Sequence, residues 1–120
     1  MKKISRAFRR YWWVVVILFL AAITFGSLWP RMIAPGVLPD DKARHLLSYL
    51  MVSLPIALVR PRAWRWMLAG LLVWSIGIEF VQPFLGRSRD AGDFLANLAG
   101  VGIALLLSEI ALRLGRLRPA

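Results

Sequence analysis

Cysteine is absent from the chain. That excludes disulfides, thiolate metal ligands and a cysteine nucleophile. Histidine occurs once, at His45. No H-E-x-x-H or comparable spacing accompanies it, so no metal is expected; His45, Glu79 and Asp93 would be the donors if one bound. A G-x-S-x-G elbow and a phosphate-binding P-loop are also missing. No cofactor is expected. Acidic residues are scarce, six against sixteen Lys and Arg, for a net charge of +10. In a soluble protein that excess would point to nucleic acid. Here the basic residues flank apolar runs, which is how membrane proteins set their orientation, and no nucleic-acid partner is expected.

What the sequence has in abundance is apolar surface. It is 59% hydrophobic, and a mean hydropathy of +0.64 is too high for an ordinary soluble domain. At 120 residues a single domain is expected, with no room for a large soluble core beside the apolar runs.

The apolar runs predict four helices, at about 11–29, 42–59, 63–84 and 91–112. The first follows a basic start. It is roughly 19 residues, longer than a signal core, and no A-x-A pattern closes it. Tyr11, Trp12, Trp13 and Trp29 read as interfacial anchors, and Pro30 ends the run. Asp41 and Asp90 read as N-caps of the second and fourth helices. Pro55 should kink the second, and Pro83 should help the chain leave the third. Gly92, Ala96 and Gly100 recur every four residues, a small-residue strip for close packing.

Eleven of the sixteen Lys and Arg fall at the N-terminus, in the Arg60–Arg65 turn or in the C-terminal tail. The predicted fold is therefore all-α, an integral membrane four-helix bundle with both termini cytoplasmic. The two outer connections each lead into a helix that opens with Asp. That similarity hints at two related hairpins.

Polar groups crowd one region, between Ile78 and Gly100. Glu79 sits in an apolar run about 9 Å from the end of its helix, and an ionisable residue so placed is a candidate for function. Lys42, His45 and Tyr49 share one face of the second helix, and Asp93 and Asn97 one face of the fourth. His45, Glu79, Asp93 and Asn97 fall at similar depth. His45, Glu79 and Asp93 are the candidate acid–base residues; Lys42, Tyr49, Gln82, Arg87 and Asn97 are the candidate ligand-binding residues. Glu79 needs a partner, for which His45, Lys42 and Arg87 are the candidates. Bland readings stand beside these: a cross-helix bond for Asn97, a packing histidine at His45, a structural ion pair for Glu79. Glu109 should pair with Arg113, four residues on.

These motifs, Asp41-Lys42-x-x-His45 with Tyr49, Glu79-x-x-Gln82, and Arg87-x-x-Asp90-x-x-Asp93-x-x-x-Asn97-x-x-Gly100, resemble those of the VanZ-like membrane proteins. They span about half the chain. One departure is that Leu85, not proline, precedes Gly86. The resemblance implies a bacterial cytoplasmic-membrane protein related to teicoplanin resistance. Its partners would be membrane lipids and a lipid-linked or anionic envelope precursor. Whether the site acts on that head group or only binds it stays open at this level. A non-catalytic accessory or scaffold protein is the alternative, and a small-solute or proton pathway ranks below both.

Overall fold

The computed structural model describes residues 5–28, 41–85 and 91–116. They form four α-helices: α1 (Arg6–Leu28), α2 (Asp41–Val59), α3 (Trp64–Val81) and α4 (Ala91–Arg116). A 3-10 turn, Gln82–Leu85, follows α3. The described residues are thus helical, as expected, but three helix ends differ from the sequence reading. α1 begins at Arg6 and not near 11. Ser5 explains this, because its Oγ accepts the Phe8 N–H at 3.1 Å and satisfies a donor the first turn cannot. α3 stops at Val81. Pro83 has no N–H for the carbonyl four residues back, so the chain tightens into the 3-10 turn instead. α4 runs on to Arg116, past the expected 112. The expected Glu109–Arg113 pair is present in this extension, at 3.0 Å.

Three segments are long and apolar enough to cross a membrane: Arg6–Leu28, Trp64–Phe84 and Ala91–Gly115. α2 is not among them. Lys42, Arg44 and His45 in its first turns dilute a run that is otherwise as apolar as the rest. Pro55 lies inside α2 and is buried there.

Cross-helix contacts fix the directions of the helices. Trp74 Nε1 donates to Thr24 Oγ1 at 2.8 Å, and Gln82 Nε2 to the Ser27 carbonyl at 3.1 Å. Both sequence positions rise together, so α1 and α3 are parallel. His45 meets Asn97 near the start of α4, and Arg60 meets Glu109 farther along it, so α2 and α4 are parallel too. Arg60 also lies over the Trp64 ring at the α2–α3 turn, while Tyr49 meets Ser75, so α2 and α3 run oppositely. The chain therefore goes up, down, up, down.

α2 packs against all three other helices and most closely against α4. Gly100 makes that closeness possible. A Cβ there would collide with the Leu46 carbonyl oxygen and stand 2.9 Å from Leu50 N. Gly100, Ala104 and Ser108 are buried in this seam. Gly92 and Ala96, the first members of the expected strip, are half-buried, so the buried small-residue line starts at Gly100 and continues toward the C-terminus.

The apolar core comprises Val16, Tyr49, Val52, Ile56, Leu68, Leu71 and Val101. Large apolar side chains such as Leu18, Val73, Trp74, Leu95 and Leu106 face outward. Ser75, Glu79, Gln82, Asp93 and Asn97 are buried. A polar interior inside an apolar exterior inverts the soluble pattern and suits a lipid surround.

Candidate functional site

The ends of α1 and α3 and the starts of α2 and α4 share one end of the bundle, and the buried polar groups concentrate there. His45, on α2, is the centre. Asn97 donates its amide N–H to Ser75 Oγ at 2.7 Å, which turns its carbonyl oxygen toward His45 Nδ1, 3.0 Å away. This network assigns a proton to Nδ1. The ring's other nitrogen, Nε2, lies 3.5 Å from Asp93 Oδ2. Nε2 therefore faces a carboxylate, while Nδ1 faces an amide oxygen. Lys42 Nζ lies 3.7 Å from Asp93 Oδ1. The Lys42 side chain is 53% exposed and that of Asp93 only 12%, so the ammonium stands at the mouth and the carboxylate below it.

Helical spacing explains the convergence. Lys42, His45 and Tyr49 lie three and four residues apart on one stripe of α2. Asp93 and Asn97 lie four apart on α4, and continue through Gly100 and Val101 into the seam that faces α2. α3 contributes Ser75 and, one turn on, Glu79, both buried. Tyr49 is 1% exposed, hydrogen-bonds with Ser75 and feels the charge of Glu79. A chain of contacts thus runs Lys42, Asp93, His45, Asn97, Ser75, Tyr49, through three helices from the mouth inward.

Of the residues expected at the site, the structure joins Lys42, His45, Asp93 and Asn97 directly, with Tyr49 reached through Ser75. Glu79 is buried one turn beyond Ser75 on α3, while the contacts of His45 go to Asp93 and Asn97. Gln82 is buried, but its amide holds the Ser27 carbonyl at the end of α1. Its described role is thus to tie α1 to α3 by satisfying a helix-end carbonyl. Arg87 and Asp90 lie outside the described residues, and so does the side chain of Asp41. Among the described residues, no three of His, Cys, Asp and Glu are grouped as metal donors.

Ser75 was missed from the sequence. A serine among Val73, Trp74, Ile76 and Gly77 reads as a neutral filler, yet here it is the hub between α2 and α4. Its spacing was the available signal: Ser75 precedes Glu79 by one turn, on the same face. Comparison with protein-family models, curated proteins and solved structures finds no match.

Proposed function

We propose that the chain is a multi-pass protein of the bacterial cytoplasmic membrane, VanZ-like in type. In this reading its site lies in the outer leaflet and binds an anionic, lipid-linked envelope head group. The observation that carries the proposal is the Lys42–Asp93–His45 triad, with a half-exposed ammonium over a shielded imidazole–carboxylate pair. An ammonium at the mouth attracts phosphate or carboxylate, and an anion arriving there can displace Asp93 as its partner. His45 Nε2 can then pass a proton to or from the bound group, with Asp93 stabilising the charged ring. Asn97, Ser75 and Tyr49 fix the ring from behind.

The parallel pairing supports four crossings. α2 lies alongside α4 from His45 to Arg60, and α4 is long enough to span. The polar first turns of α2 would sit at the outer interface, where Lys and Arg can reach water. The excess of Lys and Arg at the opposite end supports cytoplasmic termini. Cysteines placed at Gly36 and Ser88 are expected to react with an impermeant thiol reagent from outside intact cells, and one at Arg62 only after lysis. External reaction at Arg62 would reverse or break this topology.

Ligand binding is checked on purified protein incubated with bacterial envelope lipid extract and examined by native mass spectrometry. Wild type is expected to retain an anionic lipid adduct. Lys42→Gln should lose most of it, and His45→Gln should retain it. Product analysis of the same incubations separates the two roles: conversion that stops in His45→Gln indicates an enzyme. Binding without conversion favours the accessory reading, which also draws support from the burial of Asn97, Ser75 and Tyr49 as interhelical links. Equal adducts on wild type and Lys42→Gln would overturn the proposed mouth.

A further inference from the structure

The opposite end of the bundle carries a different chemistry. α1 opens with Arg6, Arg9 and Arg10, the α2–α3 turn holds Arg60 and Arg62, Arg65 lies in the first turn of α3, and Arg113 lies on α4. Among the described residues, Glu109 is the one carboxylate at this end. It is shared between Arg60, at 2.6 Å, and Arg113, at 3.0 Å. Arg60 is fixed further. Its φ of 51° places it in the left-handed position that ends a helix, a conformation that usually takes glycine. Its Nε bonds the Ala57 carbonyl at 3.2 Å, and its guanidinium lies 4.9 Å from the centre of the Trp64 ring. The turn is thus pinned at both sides, with Trp64 N bonded to the Pro61 carbonyl at 2.9 Å.

Arg62 and Arg65 are exposed and lie outside the Glu109 pairing. Arg65 lies 5.2 Å from the centre of the same Trp64 ring, so an aromatic face limits where its fork points. Trp66 is 80% exposed. Below it on the outward stripe come Gly70, with open space where a side chain would be, and exposed Val73. Two exposed guanidinium groups therefore lie at the start of a helix whose outward stripe carries Trp66, Gly70 and Val73.

We propose that Arg62, Arg65 and Trp66 form a binding site for an anionic glycerophospholipid. The arginines would take the phosphate and an acyl chain would lie along Trp66, Gly70 and Val73. Guanidinium forks match phosphate oxygens in pairs. Exposed tryptophan suits the depth at which head group gives way to acyl chain. The apolar strip argues for a lipid over free phosphate. The inference rests on the membrane-spanning part of the reading above and not on the Lys42 site, which lies at the other end.

The test uses full-length protein in nonionic detergent, titrated with phosphatidylglycerol or phosphatidylcholine and followed by native mass spectrometry. Phosphatidylglycerol is expected to bind more tightly. Arg62→Gln/Arg65→Gln should weaken it at least about tenfold, with phosphatidylcholine binding and the thermal midpoint unchanged. Arg62→Lys/Arg65→Lys keeps the charge and should recover less than half of the loss. Arg6→Gln/Arg9→Gln/Arg10→Gln removes more charge from the same end and should cost less. Equal weakening by that triple variant would reduce the effect to diffuse charge and overturn the site. Full competition by millimolar inorganic phosphate would overturn the lipid assignment. Loss in Lys42→Gln, with none in the Arg62/Arg65 variant, would move the lipid to the other end and also overturn it. A wild type that holds phosphatidylglycerol here while the labelling topology fails would separate this proposal from the one it builds on.

Discussion

Gly100→Ala is expected to destabilise the protein by about 3 kcal/mol, toward the upper part of the range for overpacked interiors. The added methyl meets backbone, the Leu46 carbonyl and the Leu50 nitrogen. Backbone within a helix cannot rotate aside as a side chain can, so α2 and α4 must separate along the seam that joins them most closely. Separation would also stretch the His45–Asn97 and Arg60–Glu109 contacts at its two ends. Gly102 is the control. It lies two residues on in the same helix, with open space around it. Gly102→Ala should leave stability unchanged or raise it by up to about 1 kcal/mol through helix propensity. Unfolding curves of both variants in one detergent provide the comparison. Equal losses at the two positions would show that the seam is not held by close backbone approach.

Asn97→Leu is expected to cost about 2 kcal/mol. It conserves volume but leaves His45 Nδ1 and Ser75 Oγ without the amide that joins them. Buried groups left without partners cost about 1–3 kcal/mol each, whereas single hydrogen bonds within membrane proteins average about 0.6 kcal/mol. The site lies near its mouth, where water can rehydrate the ring, so a value between these limits is expected. Ser75→Ala removes one of the same bonds and should cost about half as much. Because the two changes share a bond, the double variant should lose less than the sum. Strict additivity in that cycle would mean that Asn97 and Ser75 do not meet.

The existence of the helices was legible in hydropathy, because an apolar run of membrane length has few alternatives to a helix. Their ends were less so. Ser5 caps α1 by a local hydrogen bond that lies outside the apolar run, and Pro83 yields a 3-10 turn where a simple stop was expected. For the site, spacing placed Lys42, His45 and Tyr49 on one face and Asp93 with Asn97 on another. It could not say which faces meet. The parallel pairing of α2 with α4 chose Asp93 and Asn97 as the partners of His45, where depth alone had suggested Glu79. Ser75 had a local signal in its spacing from Glu79, but its role as a hub escaped, like the Arg60–Glu109 link, for a related reason. Each becomes informative only when residues far apart in sequence are brought together, and hydrophobic periodicity carries no such information.

The parallel pairing of α2 with α4 also bears on how the protein is made. Synthesis proceeds from the N-terminus, and 52 residues separate His45 from Asn97. α2 therefore emerges well before the helix that takes up its polar first turns. Until α4 appears, Lys42 and His45 lack Asp93 and Asn97, and α2 lacks the neighbour it packs against most closely. Under the proposed four-crossing arrangement, α1 and α3 enter the lipid on their own apolarity, whereas α2 is held by a helix made after it. A chain that ends after Leu85 would leave α2 without the helix it packs against most closely, and His45 without Asp93 and Asn97.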